Sequence, residues 1–205
     1  YDIRGVVGKT LNDSSVIQIG KSIGSVALEQ NQKDICVGYD GRLSSPHMFN
    51  LLSKGLLSTG INVVNIGLVT TPMLYFSTHH LNTQSGIMIT GSHNPPEYNG
   101  FKIVINSKTL STDDIQALYK RIIKEEYLFG KGKMSNSDLK PAYLEKIYSD
   151  IKLARPIRVA IDCGNGAASI CAEELYKGIG AQVESLFCNI DGNFPNHHPD
   201  PSNVK

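Results

Sequence analysis

Helix and strand signals alternate along almost the whole chain, and that alternation restricts it to a layered α/β architecture. Ser14 or Ser15 can cap a helix whose apolar positions Val16, Ile19, Ile23, Val26 and Ala27 recur at helical spacing. A strand is expected over residues 35–39. Ser45-Pro46 then forms a cap with proline at the first helical position, and Gly60 closes that helix. Thr71-Pro72 repeats the device and opens a helix towards Leu81. Further strands are expected over residues 61–66, 85–90 and 101–105. The last two are separated by only about ten residues, whereas a parallel crossover takes a dozen or more. One of them therefore runs antiparallel, and the sheet is mixed. Ser111-Thr112-Asp113-Asp114 caps another helix that extends towards Tyr127.

Residues 130–137, Gly-Lys-Gly-Lys-Met-Ser-Asn-Ser, are the clearest shift in composition. They have little to bury and read as a boundary or surface loop. Beyond them come a helix at 139–153, a strand at 158–162, a glycine turn, a second helix and a strand at 183–188. An irregular run rich in Asn, His, Pro and Asp closes the chain. Two strands do not make a stable sheet alone. The expectation is a complete first domain at 1–138, a mixed sheet covered by helices, and a truncated second domain at 139–205.

Charge and composition exclude several functions. With 20 Lys+Arg against 19 Asp+Glu the formal charge is +1, so there is no basic footprint for a nucleic-acid backbone. Hydrophobic residues at 40% and charged residues at 19% are those of a folded chain rather than a disordered one. No apolar run approaches the roughly 18 residues that a membrane span needs. No charged-then-apolar leader opens the sequence, which starts on Tyr1 rather than Met, so a soluble cytoplasmic protein is expected. The four cysteines (Cys36, Cys163, Cys171, Cys188) are dispersed without a C-x-x-C pair and read as reduced core or strand-end residues.

Several motifs fall short of their chemistry. Gly5 to Thr10 ends like a phosphate loop, but has two residues between its glycines instead of four and no preceding strand. Gly164-Asn165-Gly166 follows a strand, with Glu184 about 20 residues on, yet Ser169 stands where a dinucleotide fingerprint has its third glycine. A turn that passes the strand into the next helix accounts for it more simply; an oxidoreductase built there would require nicotinamide or flavin binding. The doublets His79-His80 and His197-His198 point different ways and do not chelate one ion. No H-E-x-x-H or G-x-S-x-G pattern is present.

The stretch Thr90-Gly91-Ser92-His93-Asn94-Pro95-Pro96-Glu97-Tyr98-Asn99-Gly100-Phe101-Lys102 is richer. It leaves a strand end, where open α/β sheets place their ligands, and Gly91 permits a tight turn. Asn99-Gly100 is expected to turn the chain into the next strand, which carries Lys102 back towards Ser92. Serine beside histidine and lysine suits nucleophilic or phosphoryl chemistry. The same residues also suit an inert polar turn, and residue types alone leave both readings open.

This stretch closely resembles the phosphoserine loop of the α-D-phosphohexomutases, specifically the bacterial phosphomannomutase/phosphoglucomutase group. Tyr1-Asp2-Ile3-Arg4-Gly5, Gly38-Tyr39-Asp40-Gly41-Arg42-Leu43-Ser44, Asp162-Cys163-Gly164-Asn165-Gly166 and Asp191 to Pro201 agree with the same family in order and spacing. The resemblance implies that Ser92 is phosphorylated and hands its phosphoryl group to a hexose 1- or 6-phosphate. The resulting hexose 1,6-bisphosphate turns round and returns a phosphoryl group. It implies Arg4 and Lys102 as cations around the transferring group, with Lys102 also moving a hydroxyl proton and His93 a further candidate for that. It implies Tyr1, Arg4, Asn94 and Lys102 as substrate contacts, and Arg42 as a brace for the loop or a structural ion pair. It implies Mg²⁺ bound through the Ser92 phosphate, and glucose 1,6-bisphosphate as activator. The family's Asp-Gly-Asp-Gly-Asp-Arg metal loop and its third and fourth domains do not occur in this sequence. The expectation is an N-terminal portion, monomeric, that alone binds metal and sugar poorly and turns over little. The competing expectation is a non-catalytic sugar-phosphate-binding or regulatory module.

Overall fold

The computed structural model describes residues 3–200 and residue 202; Tyr1 lies outside them. The chain begins with β1 (Ile3–Val6), where the sequence predicts no strand. Four residues with Arg-Gly at their centre carry no periodic signal. They become a strand because they pair antiparallel with β5 (Tyr98–Ile105), Ile3 opposite Phe101 and Val6 opposite Tyr98.

The first crossovers follow the expected order with adjusted ends. Helix α1 (Asp13–Glu29) is capped by Asn12, whose Oδ1 accepts the Ser15 N–H at 2.9 Å. Ser15 Oγ donates instead to the Asn12 carbonyl, so neither serine is the cap. After β2 (Asp34–Tyr39) comes α2 (Ser45–Leu57), which starts one residue past its cap Ser44 and ends before Gly60. Then follow β3 (Asn62–Leu68), α3 (Thr71–His80) and β4 (Gly86–Ile89). A two-residue strand, β6 (Lys108–Thr109), pairs with β5. Helix α4 (Thr112–Lys124) stops short of Tyr127 because Glu125 turns left-handed, at φ 53°. Its start is a reciprocal box in which Ser111 hydrogen bonds hold the Asp114 carboxyl down at about 2.

The expected mixed sheet is observed. Its order is β1-β5-β4-β2-β3 followed by a strand over Met134–Asn136 (β7), with β6 beside β5. Strands β2, β3 and β4 run parallel, and β5 runs antiparallel to both β4 and β1. The last member corrects the sequence reading of residues 130–137. Met134–Asn136 form β7, parallel to β3 at the sheet edge. All three residues are exposed, so there was no apolar alternation to read.

The sheet separates two apolar layers. Ile35 and Val37 of β2, Ile87 and Ile89 of β4 and Phe101 and Ile103 of β5 pack with Val16, Ile23, Leu52 and Leu56 of α1 and α2. The alternate residues Cys36 and Met88 face Met73 and Leu74 of α3 on the other side. Helices α1 and α2 cross through glycine. A Cβ on Gly55 would lie 2.2 Å from the Ile17 carbonyl oxygen, and one on Gly20 would lie 2.4 Å from that of Leu52. Alanine gains about 1 kcal/mol of helix propensity, whereas forced overpacking costs about 1–3 kcal/mol. Because the obstacle here is backbone, G55A is expected to lose about 1–2 kcal/mol net. The urea midpoint at unchanged m-value measures it; an equal or higher midpoint would show that the helices can part freely.

The second unit opens with α5 (Lys140–Asp150), whose Leu144 joins Leu139 and Cys171 in the α3 layer. Strands β8 (Arg158–Asp162) and β9 (Gln182–Leu186) form a parallel pair. Between them lie a 3₁₀ turn (Ala167–Ile170) and the short helix α6 (Ala172–Gly178). Gly164 and Asn165 both take positive φ, 50° and 57°. A Cβ on Gly164 would stand 3.0 Å from His197 Cε1. The chain passes from the glycine turn into the 3₁₀ turn, so no α-helix N-terminus opens directly behind it. All four cysteines are free. Cys188 Sγ lies 2.9 Å from Cys163 Sγ, and burial above all pushes the Cys163 thiol up to about 12. Among the described residues no helix is long and apolar enough to cross a membrane.

Candidate active site

The site is built on the loop that joins β4 to β5. Thr90 still belongs to the sheet edge, its N–H bonded to the Gly100 carbonyl. Gly91 N–H donates to Asp40 Oδ2 at 3.2 Å, and Ser92 N–H donates to Thr90 Oγ1 at 2.9 Å. Ser92 is exposed and sits at φ 54°. A left-handed serine is uncommon outside turns and persists only where its surroundings impose it. Ser92 Oγ lies 3.5 Å from His93 Nδ1, at the limit of a hydrogen bond. The chain then turns at Pro95, whose carbonyl accepts the Tyr98 N–H.

This corrects one expectation. Asn99 and Gly100 do not form the turn; they lie inside β5, opposite Gly5 and Arg4 of β1. The β pairing decides their roles. A Cβ on Gly100 would meet the Ile3 carbonyl at 2.1 Å and Arg4 Cγ at 3.2 Å, so the missing side chain makes room for Arg4. Arg4 faces Gly100, and Lys102 stands two residues further along β5, on the same face. Lys102 is also in register with Met88 of β4, four residues before Ser92. The fold thus places two cations diagonally across adjacent strands at the edge from which the Ser92 loop springs.

Behind the loop stands Arg42, 2% exposed. Its Nη2 donates to the carbonyls of Ser92 (2.9 Å) and Asn94 (2.7 Å), and Nη1 to those of Pro95 (2.6 Å) and Tyr98 (3.2 Å). Nε pairs with Asp40 Oδ2 at 3.2 Å. Burial pushes the guanidinium's pKa down and Asp40 pulls it back up; arginine stays charged throughout. A Cβ on Gly91 would lie 2.4 Å from Arg42 Cζ, so this glycine is required by the guanidinium. Arg42 is the brace of the two alternatives left open, and its ion pair with Asp40 is part of the same brace.

Neither Asp40 nor Asn99 was assigned a part in this support from the sequence. Asp40 accepts from Ser45 Oγ at 2.6 Å and from the Arg42 N–H at 3.1 Å. Asn99, fully buried, donates to both Ser44 Oγ and Ser45 Oγ at 2.9 Å. Asp40 stood in a recognised stretch. Nothing local distinguishes a buried Asn99 from a turn asparagine.

The family model for phosphoglucomutase/phosphomannomutase α/β/α domain I matches residues 1–128, and that for α/β/α domain II matches residues 141–205. The chain belongs to this family. It is 48% identical over 201 residues to a phosphomannomutase/phosphoglucomutase of Pseudomonas aeruginosa, covering 98% of this chain and 43% of that protein. A phosphoglucomutase of Neisseria gonorrhoeae is 48% identical over 204 residues, covering 98% and 44%. The solved structure of a phosphoglucomutase/phosphomannomutase family protein from Burkholderia thailandensis superposes with a TM-score of 0.95 at 44% identity, covering 99% and 46%. The chain spans less than half the length of these family relatives.

A hard divalent cation needs several oxygen ligands. Among the described residues no group of three or more His, Cys, Asp or Glu could hold a metal ion. These residues alone do not make a metal site.

Proposed function

We propose that the intact protein is an intramolecular phosphotransferase. It interconverts hexose 1-phosphate and hexose 6-phosphate, of mannose, glucose or both, through a phosphoserine at Ser92 and a hexose 1,6-bisphosphate. One observation carries the reading: in a chain of this family, an exposed serine is held left-handed while four carbonyls of its loop are tied to one buried arginine. A group so fixed meets a phosphoryl acceptor without reorganising, and pre-paid positioning is a large part of phosphoryl-transfer catalysis.

Ser92 Oγ carries the phosphoryl group. Arg4 and Lys102 share one sheet face and balance the charge that spreads over its equatorial oxygens. Lys102 also moves the proton of the attacking or leaving hydroxyl, with His93 beside Ser92 Oγ as the second candidate. Asn94 contacts substrate, as does Tyr1. Mg²⁺ would bind through the Ser92 phosphate, and glucose 1,6-bisphosphate would load the serine. We place the boundary between the two domains at residue 138. Residues 1–205 alone are expected to show little turnover.

Intact mass and peptide mapping of the intact protein, before and after glucose 1,6-bisphosphate with Mg²⁺, test the reading. One added phosphate on Ser92 is expected. No phosphate on Ser92 under either condition would overturn it in favour of a non-catalytic sugar-phosphate module.

A further inference from the structure

The segment after β9 reaches back to the Ser92 loop. It arrives through two close approaches, each at a glycine, one from each unit. A Cβ on Gly192 would stand 2.6 Å from Leu43 N and 3.0 Å from Arg42 Cα. A Cβ on Gly41 would stand 2.6 Å from Ile190 Cγ2. This interlock seats Phe194 with its ring 5.2 Å from Arg42 Cζ. Phe194 itself is at φ 52°, a conformation that costs free energy in a bulky residue and persists only when the surroundings impose it. The turn is held by the Phe194 N–H on the Asp191 carbonyl and by the Asn193 N–H and Nδ2 on Asp191 Oδ1. A cavity of about 210 Å³ between Pro96 and residues 193–198 marks where the two loops meet.

The Gly91 backbone lies close against the guanidinium and Arg42 Cζ stands over the Phe194 ring, while its N–H groups donate to Asp40 and the four carbonyls. That division suits its chemistry. The faces of a guanidinium are weakly hydrated and stack on aromatic rings, and all of its N–H groups lie in the plane. A ring packed beside this buried guanidinium keeps water from competing for the in-plane hydrogen bonds without using any of them.

We propose that Phe194 is a positioning residue for Ser92 that acts through Arg42, so that the second domain holds the phosphoserine loop of the first in its transfer geometry. This rests on the reading of Ser92 as the phosphoryl carrier. A serine oxygen displaced by about 1 Å can lose on the order of a hundredfold in rate.

The test uses the intact protein as wild type, F194A, F194L and F194Y. Ser92 phosphorylation by glucose 1,6-bisphosphate with Mg²⁺ is followed by mass, alongside amide exchange over residues 91–98. F194A is expected to lower the limiting rate by about 10–100-fold with half-saturation changed less than about threefold. Exchange over 91–98 should rise with it. F194Y, which keeps the ring, should recover most of the rate. F194L, which fills the space without a π face, should not. If F194A fails to fold, the comparison of F194L with F194Y decides. An F194L protein with wild-type rate and wild-type exchange overturns the role of Phe194 while the wild type still takes up phosphate. A wild type that never takes up phosphate overturns the assigned function itself.

Discussion

S92A in the intact protein is expected to take up no phosphate from glucose 1,6-bisphosphate and to lower hexose-phosphate interconversion by about 10⁴-fold or more. The size follows from what is removed. On the proposed reading the serine oxygen carries the transferred group, and neither His93 nor Lys102 can stand in for it without rebuilding the loop. Folding should be nearly untouched, because Ser92 is exposed and alanine takes the same strained φ as serine; a change within about 0.5 kcal/mol is expected. S92T separates hydroxyl from geometry. It keeps an oxygen but adds a β-branch at φ 54°, where branched residues are true outliers, so it too should be severely slowed. Coupled assay and thermal melts measure both variants. An S92A protein that retained substantial turnover would remove Ser92 from the chemistry.

R42A carries the second large effect, on stability first and rate second. It breaks a buried ion pair and strips four carbonyls of their donor, and losing one partner of a buried pair typically costs about 3–5 kcal/mol. Asp40 would be left with the Ser45 hydroxyl and the backbone N–H groups of residues 42 and 91, which offsets part of that loss. R42K is the informative companion. Lysine keeps the charge but lacks the planar fork, so it cannot serve Asp40 and all four carbonyls together. It is expected to fold, to expose the amides of residues 91–98 to faster exchange, and to slow Ser92 phosphorylation more than it raises the half-saturating concentration. Chemical denaturation and amide exchange measure these effects. An R42K protein indistinguishable from wild type would reduce Arg42 to a filler of its pocket.

What the sequence disclosed was local, and what it concealed was tertiary. The Ser45-Pro46 and Thr71-Pro72 starts were readable because a proline at the head of a helix has few other uses. The antiparallel step into β5 was readable because the Ser92 loop is too short for a crossover. β7 was hidden because an exposed edge strand of three residues has no face to alternate. Asn99 was misplaced because Asn-Gly is a turn dipeptide by every local rule. Only its partners, Ser44 and Ser45, reveal it as a strand residue that ties β5 to the start of α2. Of the site, Ser92, His93, Asn94 and Lys102 could be named from the loop. The work of Asp40 and Arg42 depends on backbone groups fifty or more positions away, a distance no local pattern spans.

The pairing of β1 with β5 also orders events during synthesis. Ile3 finds its partner only at Phe101, and at about 5–20 residues per second the ribosome needs some seconds to make that stretch. Strands β2, β3 and β4 with their helices are close in sequence and can close first, since short loops cost the least entropy. Strand β1 is thus held by the sheet only after the strand bearing Lys102 exists. Arg4 waits, unpositioned, until Gly100 opposite it and Lys102 diagonal to it have been translated, and a ribosome stalled before residue 98 would expose a nascent chain with its core begun and β1 still unpaired.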